Sequence, residues 1–179
     1  MNKLQDDFKV YFLLMLTLLF WASAFVGIKF LLRVFEPTQI AFIRFFFASL
    51  FFIIIGIFMK IRVPKKAILH IVASALFGIT LYNILLNYSE TLISSAESSF
   101  IINLVPIFTT ILAFVFLKEK IRKRFILKLV LSFLGVFLIS YSHISGFSLQ
   151  SGVLYALLAS FSQAVYFILQ KNYSYTINR

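Results

Sequence analysis

Two basic side chains that lie inside long apolar runs are the first residues of this sequence that could do chemistry. They are Lys29 and Arg44. A Lys or Arg at the centre of a membrane-spanning helix costs about 2.5–3.5 kcal/mol on insertion scales, so such a residue predicts a functional contact. For Lys29 a simpler interpretation stays open, in which the apolar stem lets the ammonium reach the lipid headgroups. Arg44 lies deeper in its run and needs a partner, as either a structural clamp or a contact for an anion.

A stripe of polar residues in the run from 94 to 117 is the second candidate. Its members are Ser95, Ser99, Asn103, Pro106 and Thr110. Their spacing of three or four residues puts them on one helix face. Pro106 cannot donate a backbone hydrogen bond and crowds the carbonyl four residues earlier, and such a gap is tolerated in lipid only where protein or water fills it. We therefore expect a bent helix that lines a cavity, with simple hydrogen bonding between helices as the alternative.

Polar side chains also follow one face of the run from 67 to 89 and the residues just after it. They are Thr80, Asn83, Asn87 and Glu90. Because unsatisfied polar groups are costly against lipid, we expect this face to turn toward the interior of a helix bundle. The neighbouring face carries Ser74, Gly78 and Tyr82, a spacing of small residues that permits close helix packing.

One tryptophan and one acidic residue complete the candidate site residues. Trp21 lies away from the ends of its run, where interfacial aromatic residues normally lie, which favours packing or the lining of a pocket. Glu97 is the candidate for proton coupling among the six acidic residues. The predicted binding cavity is lined by Trp21, Tyr82, Asn83, Asn103 and Pro106, with Lys29 and Arg44 as electrostatic contacts.

Several other classes of function do not fit the composition. The chain has no cysteine, which excludes thiol nucleophiles and thiolate metal sites. His70 and His143 stand alone, without an H-E-x-x-H motif, and there is no Gly-rich phosphate loop. We therefore predict that the protein is not an enzyme and that it has no cofactor and no metal site. A net charge of +11 would suggest nucleic acid in a soluble protein, but with 61% hydrophobic and 13% charged residues no nucleic-acid partner is expected.

Six apolar runs supply the elements that must position these residues. They span residues 10–32, 38–58, 67–89, 94–117, 125–143 and 151–169. Each run is close to the length of about 20 residues that a helix needs to cross the hydrocarbon layer. Fourteen of the 17 Lys and Arg residues fall on one side of the resulting topology. Since cytoplasmic loops collect basic residues, we predict a six-helix, all-α integral membrane protein of the inner (cytoplasmic) membrane, with both termini in the cytoplasm.

The sequence also contains a weak internal repeat. Residues 21–29 align with residues 163–171, with matching Ala, Phe and Lys positions. Five runs separate the two copies, and an odd number of spans inverts their orientation in the membrane. Inverted repeats are common in secondary transporters, although chance similarity between two Phe-rich segments is an equal alternative.

Several stretches together resemble one known family. They are residues 21–29, 44–45, 82–83, 94–96, 104–109 and 116–121. The first is similar to a W-x-S-x-F-x-x-x-K signature of a first span. The last two are similar to the end of a fourth span, with Pro106 and Glu119 at the expected positions. With these stretches the chain resembles the EamA-type branch of the drug/metabolite transporter superfamily.

The resemblance implies a secondary transporter, frequently an exporter of amino acids or other small metabolites, that works by alternating access. It implies ten spans in two inverted five-helix repeats, with the substrate cavity between them. Residues 1–145 would form the first repeat and residues 146–179 the opening span of the second. A second chain could supply the four remaining spans. The alternative is a truncated, non-transporting membrane fragment or an interaction subunit.

Overall fold

The protein is all-helical wherever its structure is described. A computed structural model of the chain describes residues 3–60, 63–121, 124–127, 129–131, 134 and 151–177, and within these ranges there is no strand. The main helices are α1 (Lys3–Leu31), α2 (Pro37–Phe58), α3 (Lys65–Ala75), α4 (Tyr82–Leu92), α5 (Ser95–Ile102), α6 (Val105–Leu117) and α7 (Ser151–Ile177). A π-helical segment, Leu76–Leu81, joins α3 to α4 without a break.

Five segments of the described residues are long and apolar enough to cross a membrane. They are Phe8–Leu31, Pro37–Phe58, Lys65–Leu92, Ser95–Leu117 and Ser151–Tyr173. They match five of the six predicted runs. The remaining run, 125–143, lies largely outside the described residues, although 125–127, 129–131 and 134 are helical. Large apolar side chains along α1 and α2 are exposed, as expected where helices face lipid.

The last helix, α7, lies against most of the other helices. It packs against α4, α5, α6, α3 and the π-helical segment. Its inner face is built from small residues, of which Ala156, Ala159, Ala164 and Ser160 are fully buried. Small residues let helix backbones approach closely, and this is the usual way to pack helices in a membrane.

The fourth predicted span is bent, and the bend lies just before Pro106. α5 ends at Ile102, α6 begins at Val105, and Pro106 occupies the first turn of α6, where its missing N–H costs nothing. The carbonyl of Ile101, at the end of α5, accepts a hydrogen bond from Ser160 Oγ at 3.0 Å. The α-helix is therefore interrupted just before Pro106, and a hydroxyl group of α7 adds a hydrogen bond to the Ile101 carbonyl, which also accepts one from Leu104 N.

The π-helical segment is a feature that the apolar pattern did not predict. It leaves backbone carbonyls free to accept side-chain hydrogen bonds, and Ser162 Oγ of α7 donates to the Phe77 carbonyl at 2.8 Å. Within the same segment Gly78 faces the ring of Tyr166 so closely that an added Cβ would overlap that ring. The close approach expected from the small-residue spacing at Gly78 is thus confirmed.

At the opposite end of the bundle, an ion pair joins α7 to the segment after α6. Lys171 Nζ lies 2.7 Å from a carboxylate oxygen of Glu119. Both side chains are partly exposed, so the pair contributes little to stability, about 0–1 kcal/mol. This end of the bundle lies opposite the end where α4 meets α5.

The contact at Gly78 gives a stability prediction. Gly78→Ala should lower the free energy of unfolding by about 1–3 kcal/mol, since the new methyl group overpacks the interface with Tyr166. Gly56→Ala is the matched control, because a Cβ at Gly56 meets no atom within 4 Å and alanine is the better helix former. Reversible unfolding in mixed micelles measures both variants. Equal stability of the two variants would contradict the close packing at Gly78.

Candidate functional site

The candidate site is built on a regular pairing of α1 with α4. Three residues of α1 at intervals of four, Trp21, Phe25 and Lys29, face residues of α4. Their partners on α4 are Tyr82, Leu86 and Glu90, each 61 positions further along the chain. Residues four apart share one face of a helix, so a constant offset means that the two helices run side by side in the same direction. We call this pairing the α1–α4 ladder.

Each step of the ladder has its own contact. Trp21 lies near enough to the Tyr82 phenol to affect its charge. Phe25 packs against the buried cluster that contains Leu86. At the last step, the Lys29 ammonium donates to the backbone carbonyl of Glu90.

Lys29 is used to hold the end of α4. Besides the Glu90 carbonyl, its ammonium donates to the Ile93 carbonyl at 2.9 Å. The last carbonyls of a helix have no partner within the helix, and a cation at this position satisfies them and opposes the helix dipole. The half-buried Lys29 therefore bonds to the protein backbone at the end of the third span.

Glu90 is a buried acid at this point, and the sequence interpretation did not count it as a site residue. Its side chain is fully buried, at 0% exposure. Ser95 Oγ lies 3.3 Å from Glu90 Oε2, whereas Glu90 Oε1 has no partner among the described residues. Lys29 and Arg44 both lie close enough to act on its charge. The signal that could have found it was the polar face from Thr80 to Glu90, which the structure turns inward as predicted, except for the exposed Thr80.

Arg44 brings a second cation to the same place from α2. It lies one helical turn from Ile40, which is 2% exposed, yet the Arg44 side chain itself is exposed. Its guanidinium lies 5.8 Å from the centre of the Phe45 ring and is near enough to Tyr82 and Glu90 to affect their charge. Within the described part of the chain the guanidinium has no hydrogen bond, so it is available to a ligand.

Two acidic residues near the starts of helices, Glu36 and Glu97, form capping boxes. Glu36 forms a capping box with Gln39 at the start of α2. Glu97 does the same at the start of α5, where its carboxylate accepts hydrogen bonds from Ser94 N at 2.8 Å and Ser94 Oγ at 2.7 Å. A capping box satisfies two backbone N–H groups at once. The carboxylate of Glu97 is thus occupied by the helix end, and its coupling role stays a prediction.

The other predicted site residues lie at two places. Tyr82 and Asn83 are buried, and Asn83 Nδ2 donates to the Ile79 carbonyl of the π-helical segment at 2.8 Å. Asn103 and Pro106 lie at the bend between α5 and α6, where both side chains are exposed. Asn103 Nδ2 donates to the Ser99 carbonyl at 2.8 Å, a bond within its own helix turn.

The structure therefore brings some of the predicted site residues closer to one another than to the rest. Lys29 and Arg44 lie near Glu90, and Tyr82 lies near Arg44, Glu90 and Trp21. The bend residues connect to them through the core, because Val105 and Tyr82 belong to one buried cluster. No group of acidic or histidine side chains among the described residues could hold a metal ion.

Comparison with known proteins decides the family. Residues 8–141 match the model of the EamA-like transporter family. The chain belongs to this family. The matched range includes the whole α1–α4 ladder, Arg44 and the bend before Pro106, and membership together with the five apolar helices makes it a multi-pass membrane protein.

Relatives of this EamA-like protein are themselves named as transporters. An uncharacterized transporter of Archaeoglobus fulgidus is 38% identical over 144 residues, which cover 79% of this chain and 52% of that protein. The uncharacterized transporter YdfC of Bacillus subtilis is 34% identical over 154 residues, covering 86% of this chain and 50% of that protein. A probable terminal-alkyne amino-acid exporter of Streptantibioticus cattleyicolor is 31% identical over 113 residues, covering 63% and 38%. The chain spans about half the length of the first two relatives. No solved structure matches it significantly.

The role of Lys29 can be tested by stability. Lys29→Met should lower the free energy of unfolding by about 1.5–3 kcal/mol, the range for hydrogen bonds from a charged group, because it leaves the Glu90 and Ile93 carbonyls without their donor. Amide hydrogen exchange should also rise at the end of α4. Reversible unfolding in mixed micelles and hydrogen exchange measure these two effects.

Arg33→Met is the matched control for Lys29→Met. Arg33 lies one turn further along, is exposed, and has its guanidinium 5.6 Å from the centre of the Phe30 ring. This variant should change the free energy of unfolding by less than about 0.5 kcal/mol, as surface substitutions usually do. If both variants lost the same stability, Lys29 would not hold α4.

Proposed function

We propose that this protein is part of a secondary transporter that moves small metabolites, such as amino acids, across the cytoplasmic membrane by alternating access. The observation that carries the proposal is the grouping of Lys29, Arg44 and Glu90 beside Trp21 and Tyr82, all within membrane-spanning helices. Ionisable groups inside a membrane protein are costly and usually mark the path of a solute or an ion. Membership of the EamA-like transporter family gives the same class of function.

The chemistry of Arg44 favours a solute that bears a carboxylate. A guanidinium can bind a carboxylate through two parallel hydrogen bonds, and Arg44 is exposed and has no hydrogen bond within the described residues. The half-exposed indole of Trp21, at 51% exposure, offers an apolar surface on the same side of the bundle. The relative that is named a probable terminal-alkyne amino-acid exporter supports amino acids as the substrate class and export as the direction.

Discontinuous helices support an alternating-access mechanism. Transporters with inverted repeats bind their substrates near the membrane midplane, next to broken helices. In this protein the bend between α5 and α6 and the π-helical segment before α4 are such interruptions, and π-bulges are frequent at functional sites. We propose that Asn83, Asn103 and Pro106, which lie at or next to these interruptions, line the substrate path together with Tyr82.

The relatives are longer than this chain, which bears on how many spans the whole transporter has. Because the chain matches about half of each of the first two relatives, we propose that residues 1–145 act as one repeat and residues 146–179 as the opening span of another. The remaining spans would come from further sequence or from a second chain. With 14 of 17 basic residues on one side of the predicted topology, we propose that both termini face the cytoplasm.

Counterflow in proteoliposomes tests the proposal. Vesicles that contain the protein and are loaded with one unlabelled amino acid should accumulate the same labelled amino acid, for at least one member of a panel of standard amino acids. Arg44→Gln should slow this counterflow by about 10- to 100-fold, which corresponds to the loss of a charged hydrogen bond of about 1.5–3 kcal/mol.

Arg33→Gln serves as the control for charge alone, because Arg33 is an exposed arginine at the end of α1. We expect counterflow within about 2-fold of the unchanged protein, since loss of an exposed charge costs little. Absence of counterflow for the entire panel would contradict amino acids as the substrate. Equal rates for both arginine variants would contradict a substrate contact at Arg44.

A further inference from the structure

Glu90 combines full burial with an unused oxygen, and the proposed transport site does not explain this combination. The side chain is 0% exposed, and Oε1 has no partner among the described residues. An ionised carboxylate in such surroundings is costly unless both of its oxygens are paired. A protonated carboxyl group needs less, because it is neutral and can donate a hydrogen bond itself.

Charged and titratable groups lie on the helices that pack against α4. Lys29 of α1 and Arg44 of α2 act on the charge of Glu90, Tyr82 of α4 lies near it, and α5 and α7 carry Glu97 and Tyr155. The Lys29 ammonium bonds to backbone carbonyls, Glu97 caps α5, and Tyr155 packs on Tyr88 with ring centres 5.7 Å apart. None of these described groups donates a hydrogen bond to the Glu90 carboxylate, so its charge is only partly balanced.

Ser95 connects Glu90 to the α1–α4 ladder. Its hydroxyl lies 3.3 Å from Glu90 Oε2 and 3.4 Å from the Phe25 carbonyl of α1. A hydroxyl group has one proton to donate, so Ser95 can serve only one of these two acceptors fully at a time. The protonation state of Glu90 can therefore decide which acceptor it serves.

We propose that Glu90 binds and releases the proton that drives this transporter, and that Ser95 passes its protonation state to α1. When Glu90 is ionised, the Ser95 hydroxyl donates to its carboxylate. When a proton from solvent binds Glu90 Oε2, the new O–H donates to Ser95 Oγ, and the Ser95 hydroxyl donates to the Phe25 carbonyl instead. One proton is taken up, the hydrogen bond between Glu90 and Ser95 reverses its direction, and a hydrogen bond from Ser95 to α1 is gained. This inference rests on the proposed transport function and names its coupling ion.

A proton fits this position better than a metal cation. A metal ion at Glu90 would need further oxygen ligands, and the nearest backbone carbonyls, those of Glu90 and Ile93, already accept hydrogen bonds from the Lys29 ammonium. That ammonium would also repel a second cation. A proton needs one oxygen, and Glu90 Oε2 lies 3.3 Å from the Ser95 hydroxyl, which can accept the new O–H.

Infrared difference spectra between low and high pH test the proton site directly, with the full chain in lipid nanodiscs and ¹³C-labelled glutamate. All four glutamates of the chain gain a C=O band as the pH falls, and the buried carboxyl group of Glu90 should give a separate band, at the frequency of an acid shielded from water. Glu90→Gln should lose this separate band. Glu97→Gln should keep it, and glutamine still fits the capping box, so this matched variant distinguishes the two carboxyl groups.

Tryptophan fluorescence tests the connection to α1. Trp21 is the single tryptophan of the chain and lies on the ladder, so its emission reports on the α1–α4 contact without a label. We expect an emission change with the same midpoint as the infrared band. Ser95→Ala should keep the band and lose the emission change, because it removes the hydroxyl and leaves the carboxyl group.

Each contrary result identifies what has failed. A band that survives in Glu90→Gln, or that disappears in Glu97→Gln, would overturn the assignment to Glu90. An emission change that survives in Ser95→Ala would overturn the connection through Ser95. If Glu90→Gln does not fold, absence of the separate buried-acid band in the unchanged protein overturns the proposal. These measurements need no substrate, so absence of counterflow with an intact band would contradict the proposed transport function alone.

Discussion

The Lys29 ammonium on the last carbonyls of α4 is the interaction on which the rest of the site depends. It attaches the first span to the third at the point where the chain turns from α4 into α5. Without this cation, α4 would end with unsatisfied carbonyls within the membrane, where no water replaces the lost partner. Because it bonds to backbone atoms, Lys29 leaves the Glu90 carboxylate in place while reducing the cost of its charge.

Backbone carbonyls elsewhere in the bundle accept hydrogen bonds from the serines of α7. Wherever the other helices depart from regular α-helix, a hydroxyl group of α7 meets a backbone carbonyl: Ser162 at Phe77 in the π-helical segment and Ser160 at Ile101 before the bend. Interrupted helices are thus compatible with a membrane because a neighbouring helix supplies the donors. The buried alanines on either side of these serines, Ala156, Ala159 and Ala164, allow the approach that such bonds need.

The sequence predicted the spans and several polar positions, for physical reasons that act locally. Apolar length identified five helices that the structure describes, helical spacing turned Asn83, Asn87 and Glu90 inward, and Pro106 predicted the bend. The pairing of α1 with α4 could not be predicted from the sequence, because it depends on which helices are neighbours and on the register between them. For the same reason the sequence alone does not distinguish Glu97 from Glu90: both are acids near a helix end, and the tertiary contacts determine which one caps a helix and which one is buried.

The constant offset of 61 positions in the α1–α4 ladder also limits how this sequence can change in length during evolution. One residue inserted between Trp21 and Lys29 would turn Lys29 by about 100° around α1 and separate it from the end of α4. A residue inserted in the connection after α1 or in the one after α2 changes the offset and leaves every pair of the ladder in contact. Insertions and deletions should therefore gather in these two connections, while the eight-residue intervals from 21 to 29 and from 82 to 90 keep their length.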